Sequence, residues 1–215
     1  MFLRATRLQA SPDKVDAAIQ NFETNVVKSL RAAPGNQGAV LLVNRQTGAA
    51  LGVTYWESAK ALAASEQVGI KSRTEAAKGV GAQIINVERA ELMIMDREGA
   101  PKAGTFVRVV TASGDPAKLD AAIVQIRGHV LPILKAQPGY RATIASVDRQ
   151  TGRLSVSTVW ETKADRDASE SKLAGPRAEV AKIAGAGPHE VEVENFESAF
   201  VELSAAITQA PAVRA

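Results

Sequence analysis

The chain has 215 residues with 26 Lys and Arg against 23 Asp and Glu, a net charge of +3, no cysteine and only His129 and His189 as imidazoles. The lack of cysteine excludes disulfides, thiolate zinc sites and a cysteine nucleophile. A mixed surface without a basic cluster interleaved with aromatics gives no electrostatic footprint for nucleic acid, even at a sequence pI of about 9.3.

Met1 leads straight into an alternating pattern with no charged leader and apolar run, so no signal peptide is expected. No stretch approaches the roughly 18 apolar residues of a membrane span, and the cytoplasm is the expected location. In residues 2–9, Phe2, Arg4, Thr6 and Leu8 alternate with Leu3, Ala5 and Arg7, which predicts a first strand. Ser11-Pro12 stops it and starts a helix, since Ser is a favoured cap and Pro suits the first helical position. Val15, Ala18, Ile19, Phe22, Val26 and Leu30 make one apolar stripe, and Pro34-Gly35 ends the helix. Residues 38–45 and 49–57 form a hairpin around Gln46-Thr47-Gly48, closing on Trp56-Glu57. Ser58 can cap a helix to about residue 68, with a break at Gly69 (Gly175 in the second half) and a second helix to about residue 80. Residues 83–95 return to strand.

The whole order then repeats. Arg45-Gln46-Thr47-Gly48 returns as Arg149-Gln150-Thr151-Gly152 and Trp56-Glu57 as Trp160-Glu161, a constant offset of 104 residues (149 − 45 and 160 − 56). Asp115-Pro116 starts the second long helix, Pro138-Gly139 ends it, and Thr162 stands at the cap. Ser65-Glu66, Arg73 and Glu75 pair with Ser169-Glu170, Arg177 and Glu179. Roughly a third of positions agree without a gap, which marks a duplicated domain and not a short-period solenoid. The predicted organisation is a first domain over 1–96, a Gly- and Pro-bearing linker over 97–104, a second domain over 105–203 and a flexible tail over 204–215.

Each half therefore reads βαββαβ, an α+β ferredoxin-like sheet with helices on one face only. Two such sheets can cover each other, so the expected fold is tandem repeats forming an intramolecular pseudo-dimeric α/β barrel. With the Pro-Gly pairs, the strand-ending Trp-Glu pairs and the run Val130-Leu131-Pro132-Ile133-Leu134-Lys135-Ala136-Gln137-Pro138-Gly139-Tyr140 in view, each half resembles the antibiotic biosynthesis monooxygenase-like domains of the dimeric α/β-barrel superfamily. The resemblance implies a cofactor-independent monooxygenase acting on a small aromatic or polyketide-like compound. The alternative is a non-catalytic binding or structural protein of the same fold. Haem-degrading relatives carry a His and a second Trp after the third strand; residues 58–81 and 162–185 contain no His, Trp or Tyr, so no haem is expected. No Gly-rich phosphate loop, metal-ligand spacing or nucleophile elbow occurs, and no cofactor or metal is predicted.

The candidate residues are few. Trp56 and Trp160 end equivalent strands, where each either stacks on an aromatic ligand or plugs the barrel end. Arg4 and Arg108 would hold a ligand oxygen through their fork of donors, or else pair with a strand carboxylate such as Glu88 or Glu192. His129, beside Gly128 and three residues before Pro132, with Asn25 as its counterpart, is either an imidazole base or simply a surface or half-buried residue. Tyr55 faces away from Trp56 and is matched by Val159. The small residues Ala59, Ala61, Ala63, Ala64 and Ser65 leave room for a pocket between sheet and helices, and Lys163, Asp165, Arg166 and Asp167 replace much of that run in the second half. A small aromatic ligand is the expected partner, with no nucleic acid and no membrane, and assembly into a homo-oligomer is left to a measurement of size in solution.

Overall fold

Alternating side chains and the Gly-closed hairpins build the strands where the sequence places them. The computed structural model describes residues 1–208. Its strands are β1 (Phe2–Gln9), β2 (Asn36–Val43), β3 (Ala49–Trp56), β4 (Gln83–Arg97), β5 (Phe106–Ser113), β6 (Tyr140–Asp148), β7 (Arg153–Trp160) and β8 (Val191–Leu203). Hydrogen bonding runs β1-β3-β2-β8-β5-β7-β6-β4 and closes as an antiparallel barrel. The tandem α+β barrel fold is thus the one expected.

The chain divides into two compact units. The first holds residues 1–89, Pro101–Gly104 and the segment from Phe196; the second holds Ala90–Ala100 and Thr105–Asn195. Both long strands therefore change unit along their length. In the first unit β2 pairs with the end of β8, from Gly38 opposite Leu203 to Val43 opposite Glu197. In the second, β6 pairs with the end of β4, from Glu91 opposite Val147 to Arg97 opposite Ala142. The segment expected as a tail opens with a helical turn, Ala205–Thr208, whose Ile207 is buried. Residues 209–215 lie outside the described residues.

The helix predicted after β1 forms as α1 (Val15–Asn21), a π-helical turn (Phe22–Val26) and α2 (Val27–Arg31). Next come α3 (Ala59–Ala64) and α4 (Glu66–Val80). The second half repeats this as α5 (Leu119–Gln125), a π turn (Ile126–Val130), α6 (Leu131–Lys135), α7 (Lys163–Ala168) and α8 (Glu170–Ile183). Pro132 does not cause the π turn, since the same turn forms in the first half, where Lys28 stands at that position. Ser58 and Thr162 cap as expected, accepting from the amides of Ala61 and Asp165. Asp115 caps through its side chain, whereas Ser11 does not. The break after α3 falls at Ser65 and after α7 at Ser169, not at the glycines; Gly69 and Gly175 lie inside α4 and α8.

The repeated Arg-Gln-Thr-Gly motif is structural in both halves. Gly48 and Gly152 take φ of 77° and 73°, and a Cβ on either would stand 2.1 Å from a carbonyl oxygen, of Ala10 and Gly114 respectively. Arg45 bonds Asp16 on α1 and Glu197 on β8; Arg149 bonds Asp120 on α5 and Glu91 on β4. The motif thus ties the hairpin both to its helix and to the strand arriving from the other half of the sequence. Gly48→Ala should lower stability by about 2 kcal/mol or more, because it combines a left-handed backbone with a clash against fixed backbone. A urea midpoint unchanged within error would contradict this reading of the turn.

Candidate functional site

On β1 and β3 the register places Phe2, Arg4, Thr6 and Leu8 opposite Trp56, Thr54, Gly52 and Ala50, so these eight residues share one face. That face looks toward α1, the π turn and α4, and between them the first unit encloses a cavity of about 90 Å³. Its walls include Phe22, Val26 and Leu30 from the predicted stripe, the strand residues Ala50 and Gly52, and Gly69, Arg73 and Ala76 of α4. The Ala59–Ser65 run lines none of it, so the expectation of a pocket between sheet and helices holds but for a different reason. The room comes from Gly52, Ala50, Gly69 and Ala76.

The second unit has the equivalent cavity, smaller at about 60 Å³. At the four positions just named it carries Val156, Leu154, Leu173 and Val180, all of which line it. Larger side chains on the same backbone frame account for the difference.

The polar end of the first cavity is a buried charge cluster. Arg4 is only 3% exposed. Its Nη2 donates to Leu62 O at 2.9 Å, Ser65 Oγ at 3.0 Å and Glu66 Oε2 at 2.9 Å. Glu66 also receives Arg73 Nη2 at 2.7 Å and Arg89 Nη2 at 2.7 Å. The guanidinium of Arg4 lies 5.6 Å from the Trp56 ring. Trp56 itself is fully buried, and its Nε1 donates to Thr54 Oγ1 at 2.9 Å. Arg4 and Trp56 are therefore brought together, with Arg4 lining the cavity and Trp56 packed behind it. The ion-pair partner is Glu66 of α4 and not Glu88, which accepts from Asn86.

Arg108 repeats the arrangement, with Nη1 donating to Ser169 Oγ at 2.9 Å, Nη2 to Arg166 O at 2.7 Å, and Glu170 Oε2 at 3.3 Å. Glu170 also pairs with Arg177. Glu192 is bonded instead to Arg153 and Thr111. Trp160 is fully buried, donates to Thr158 and meets Tyr140 edge-on with ring centroids 6.1 Å apart. The charged run of the second half turns inward at Arg166, which is buried, bonds Asp167 and lies 6.0 Å from the Phe106 ring. His129 is exposed on the π turn and His189 is exposed on a 3-10 turn (Pro188–Glu190), not in the expected loop; neither lines either cavity. Tyr55, buried on the opposite face of β3, has its phenol pushed up by burial to about 12.

Burial is the largest single influence on the Glu66 carboxyl and opposes its charge. The hydrogen bonds from Arg73 and Arg89 and the charge of Arg4 together outweigh it, holding the carboxyl at about 2 against an ordinary 4.5. A depressed carboxyl stabilises the fold above its unfolded value and loses that contribution as pH falls through the folded one. Glu66 should therefore contribute on the order of 3 kcal/mol at neutral pH, fading between about pH 4.5 and 2. The stability gap between wild type and Glu66→Gln should close over that window in urea titrations; a gap independent of pH would contradict it.

The cluster could be sought in the sequence from Ser65-Glu66 and Arg73, which recur in the second half together with the strand arginine. Among the described residues no group of His, Asp and Glu is arranged to hold a metal, and no helix is long and apolar enough to cross a membrane.

Ferredoxin-like halves closing a barrel, with an apolar cavity under each helical layer, define the fold class as an α/β barrel. Comparison with known proteins narrows it. Residues 1–68 match the family model for the antibiotic biosynthesis monooxygenases. The uncharacterized protein Rv2557 of Mycobacterium tuberculosis is 28% identical over 207 residues, covering 94% of this chain and 89% of its own. Among solved structures, an anthrone oxidase-like protein superposes with a TM-score of 0.70 at 14% identity, covering 95% of this chain and 94% of its own. A haem-degrading enzyme from Listeria monocytogenes gives 0.52 at 8% identity, over 92% and 99%. At these identities the two structures establish the fold.

Proposed function

We propose that the first unit's cavity is a small-molecule site and that the chain acts there as a cofactor-independent monooxygenase on an aromatic or polyketide-like compound. The observation that carries this is the cavity itself, opened by Gly52, Ala50 and Gly69 where the second unit has Val156, Leu154 and Leu173. The family match covers the strands and first helices that enclose it, and the anthrone oxidase-like structure shares the fold. In a reaction of this class the substrate supplies the electrons: an activated CH₂ and O₂ become C=O and H₂O, so no reducing cofactor enters the balance. Arg4 and Arg73 would hold the developing oxyanion, and the apolar walls would exclude water.

A second reading, binding without turnover, is favoured by one observation. Among the described residues no histidine and no carboxylate lines the first cavity, so no side chain there is an evident base. Oxygen uptake with a panel of anthrone, quinol and flavonoid-type compounds separates the two. Uptake by wild type that is lost when the first cavity is filled supports the oxygenase. Saturable binding with no uptake leaves the binding protein, and neither binding nor uptake overturns both.

A further inference from the structure

We infer that the compound taken into the first unit's cavity is an anion, an apolar body bearing one acidic group that docks against Arg4 and Arg73. This rests on the reading of that cavity as a small-molecule site and adds the chemistry of its occupant. Arg4 directs its three hydrogen bonds through Nη2, while its Nε and the Nη1 of Arg73 are buried without a hydrogen-bond partner. Both residues line the cavity. An unmet buried donor is costly, and a charged one more so. Three guanidiniums, of Arg4, Arg73 and Arg89, surround the single carboxylate of Glu66, so the cluster carries positive charge in excess at the end of an apolar space.

Gly69 explains how the heads stay accessible. Glycine is disfavoured inside a helix relative to alanine. Here a Cβ would stand 2.8 Å from Arg4 Nη1 and 3.2 Å from Arg73 Nη1, so the two guanidiniums converge over a position that has no side chain. Three of the other polar groups on the walls are committed, Asn21 to Ala76 O, Ser72 to Ser29 and Thr54 to Trp56. The second unit keeps Arg108, with its Nε likewise unmet, and Arg177 on the cavity wall, but the surroundings differ. Leu173 stands for Gly69, Val193 for Arg89, both terminal nitrogens of Arg108 are used, and Asp167 adds a second carboxylate beside Arg166. A planar fork of guanidinium donors suits a carboxylate or an ionised phenol or enol.

Calorimetric titration with 2-naphthoic acid, the uncharged isostere 2-acetylnaphthalene, and 2-naphthol below and above its ionisation tests this. The acid should bind about tenfold or more tighter than the ketone. Arg73→Gln should erase that preference while leaving ketone binding in place, and Arg73→Lys, which keeps the charge but not the fork, should retain part of it. Naphthol that tightens on ionising extends the class to phenolates; naphthol that does not confines it to carboxylates. Equal binding of acid and ketone overturns the inference and leaves the small-molecule site standing. No binding of any of the three overturns both.

Discussion

Residues 1–104 produced alone are expected not to fold as a monomer, and adding a separate fragment of residues 105–208 should restore folded protein. The first unit is completed by the end of β8, which supplies the neighbour of β2 from Gly38 to Val43. With it go Phe196 and Ile207, both buried, and Phe200, whose ring meets Phe22 edge-on at 5.7 Å between centroids. Gly104 N bonds Ser198 O, and Arg31 and Arg45 pair with Glu202 and Glu197. Burying three such side chains contributes about 1.5–3 kcal/mol each. Together with the strand hydrogen bonds, that approaches the roughly 5–15 kcal/mol by which a whole domain is stable. Amide NMR spectra of each fragment and of their mixture check this. A monomeric 1–104 fragment with native-like dispersion would contradict it.

Replacing Ala50 with Leu and Gly52 with Val should greatly weaken small-molecule binding to the first unit while leaving the fold as stable or more so. These are the residues that stand at positions 154 and 156 of the second unit, on the same strand and the same face. The nearest atom to a Cβ at residue 52 is Phe22 Cε2 at 3.4 Å, and Gly52 is not among the glycines with positive φ, so the backbone accepts the change. A β-branched residue favours the strand, and filling empty space adds contacts. Affinity for an aromatic probe should fall about a hundredfold, because the added methyl groups occupy the volume the ligand needs. Thermal melting checks the fold and titration checks the affinity. A well-folded variant that binds like wild type would place the site elsewhere.

Much of this architecture can be read from the chain because strand and helix periodicities are local. The 104-residue offset also placed each element of the second half by reference to the first. The destinations of β4 and β8 are another matter: alternation tells which face a residue occupies but not which strand lies alongside, and pairing with β6 and β2 across about 50 and 160 residues leaves no local mark. The same gap affected the arginines. Arg4 and Arg108 were legible as paired strand cations, but a strand neighbour was the natural partner to expect, and their carboxylates come from the first turns of α4 and α8. Gly69 looked like a helix break because glycine usually is one. Its role emerges only with two guanidiniums converging above it. The layering predicts a cavity between sheet and helices, yet the alanine-rich run that promises its walls lines none of it. Comparing the halves position by position, Gly52 with Val156 and Gly69 with Leu173, points to the right walls once the faces are known. Only its chemistry recommends His129, and its exposed place on the π turn leaves it outside both cavities.

Whether the first unit's cavity is where a ligand sits is tested most directly by a crystal structure with 2-naphthoic acid bound. The rings are expected between Gly52 of β3 and the Gly69 side of α4, with the carboxylate within hydrogen-bond distance of Arg73 and the second unit's cavity empty. The acid seated in the second unit's cavity or beside Trp160 and Tyr140, with the first cavity empty, would contradict it.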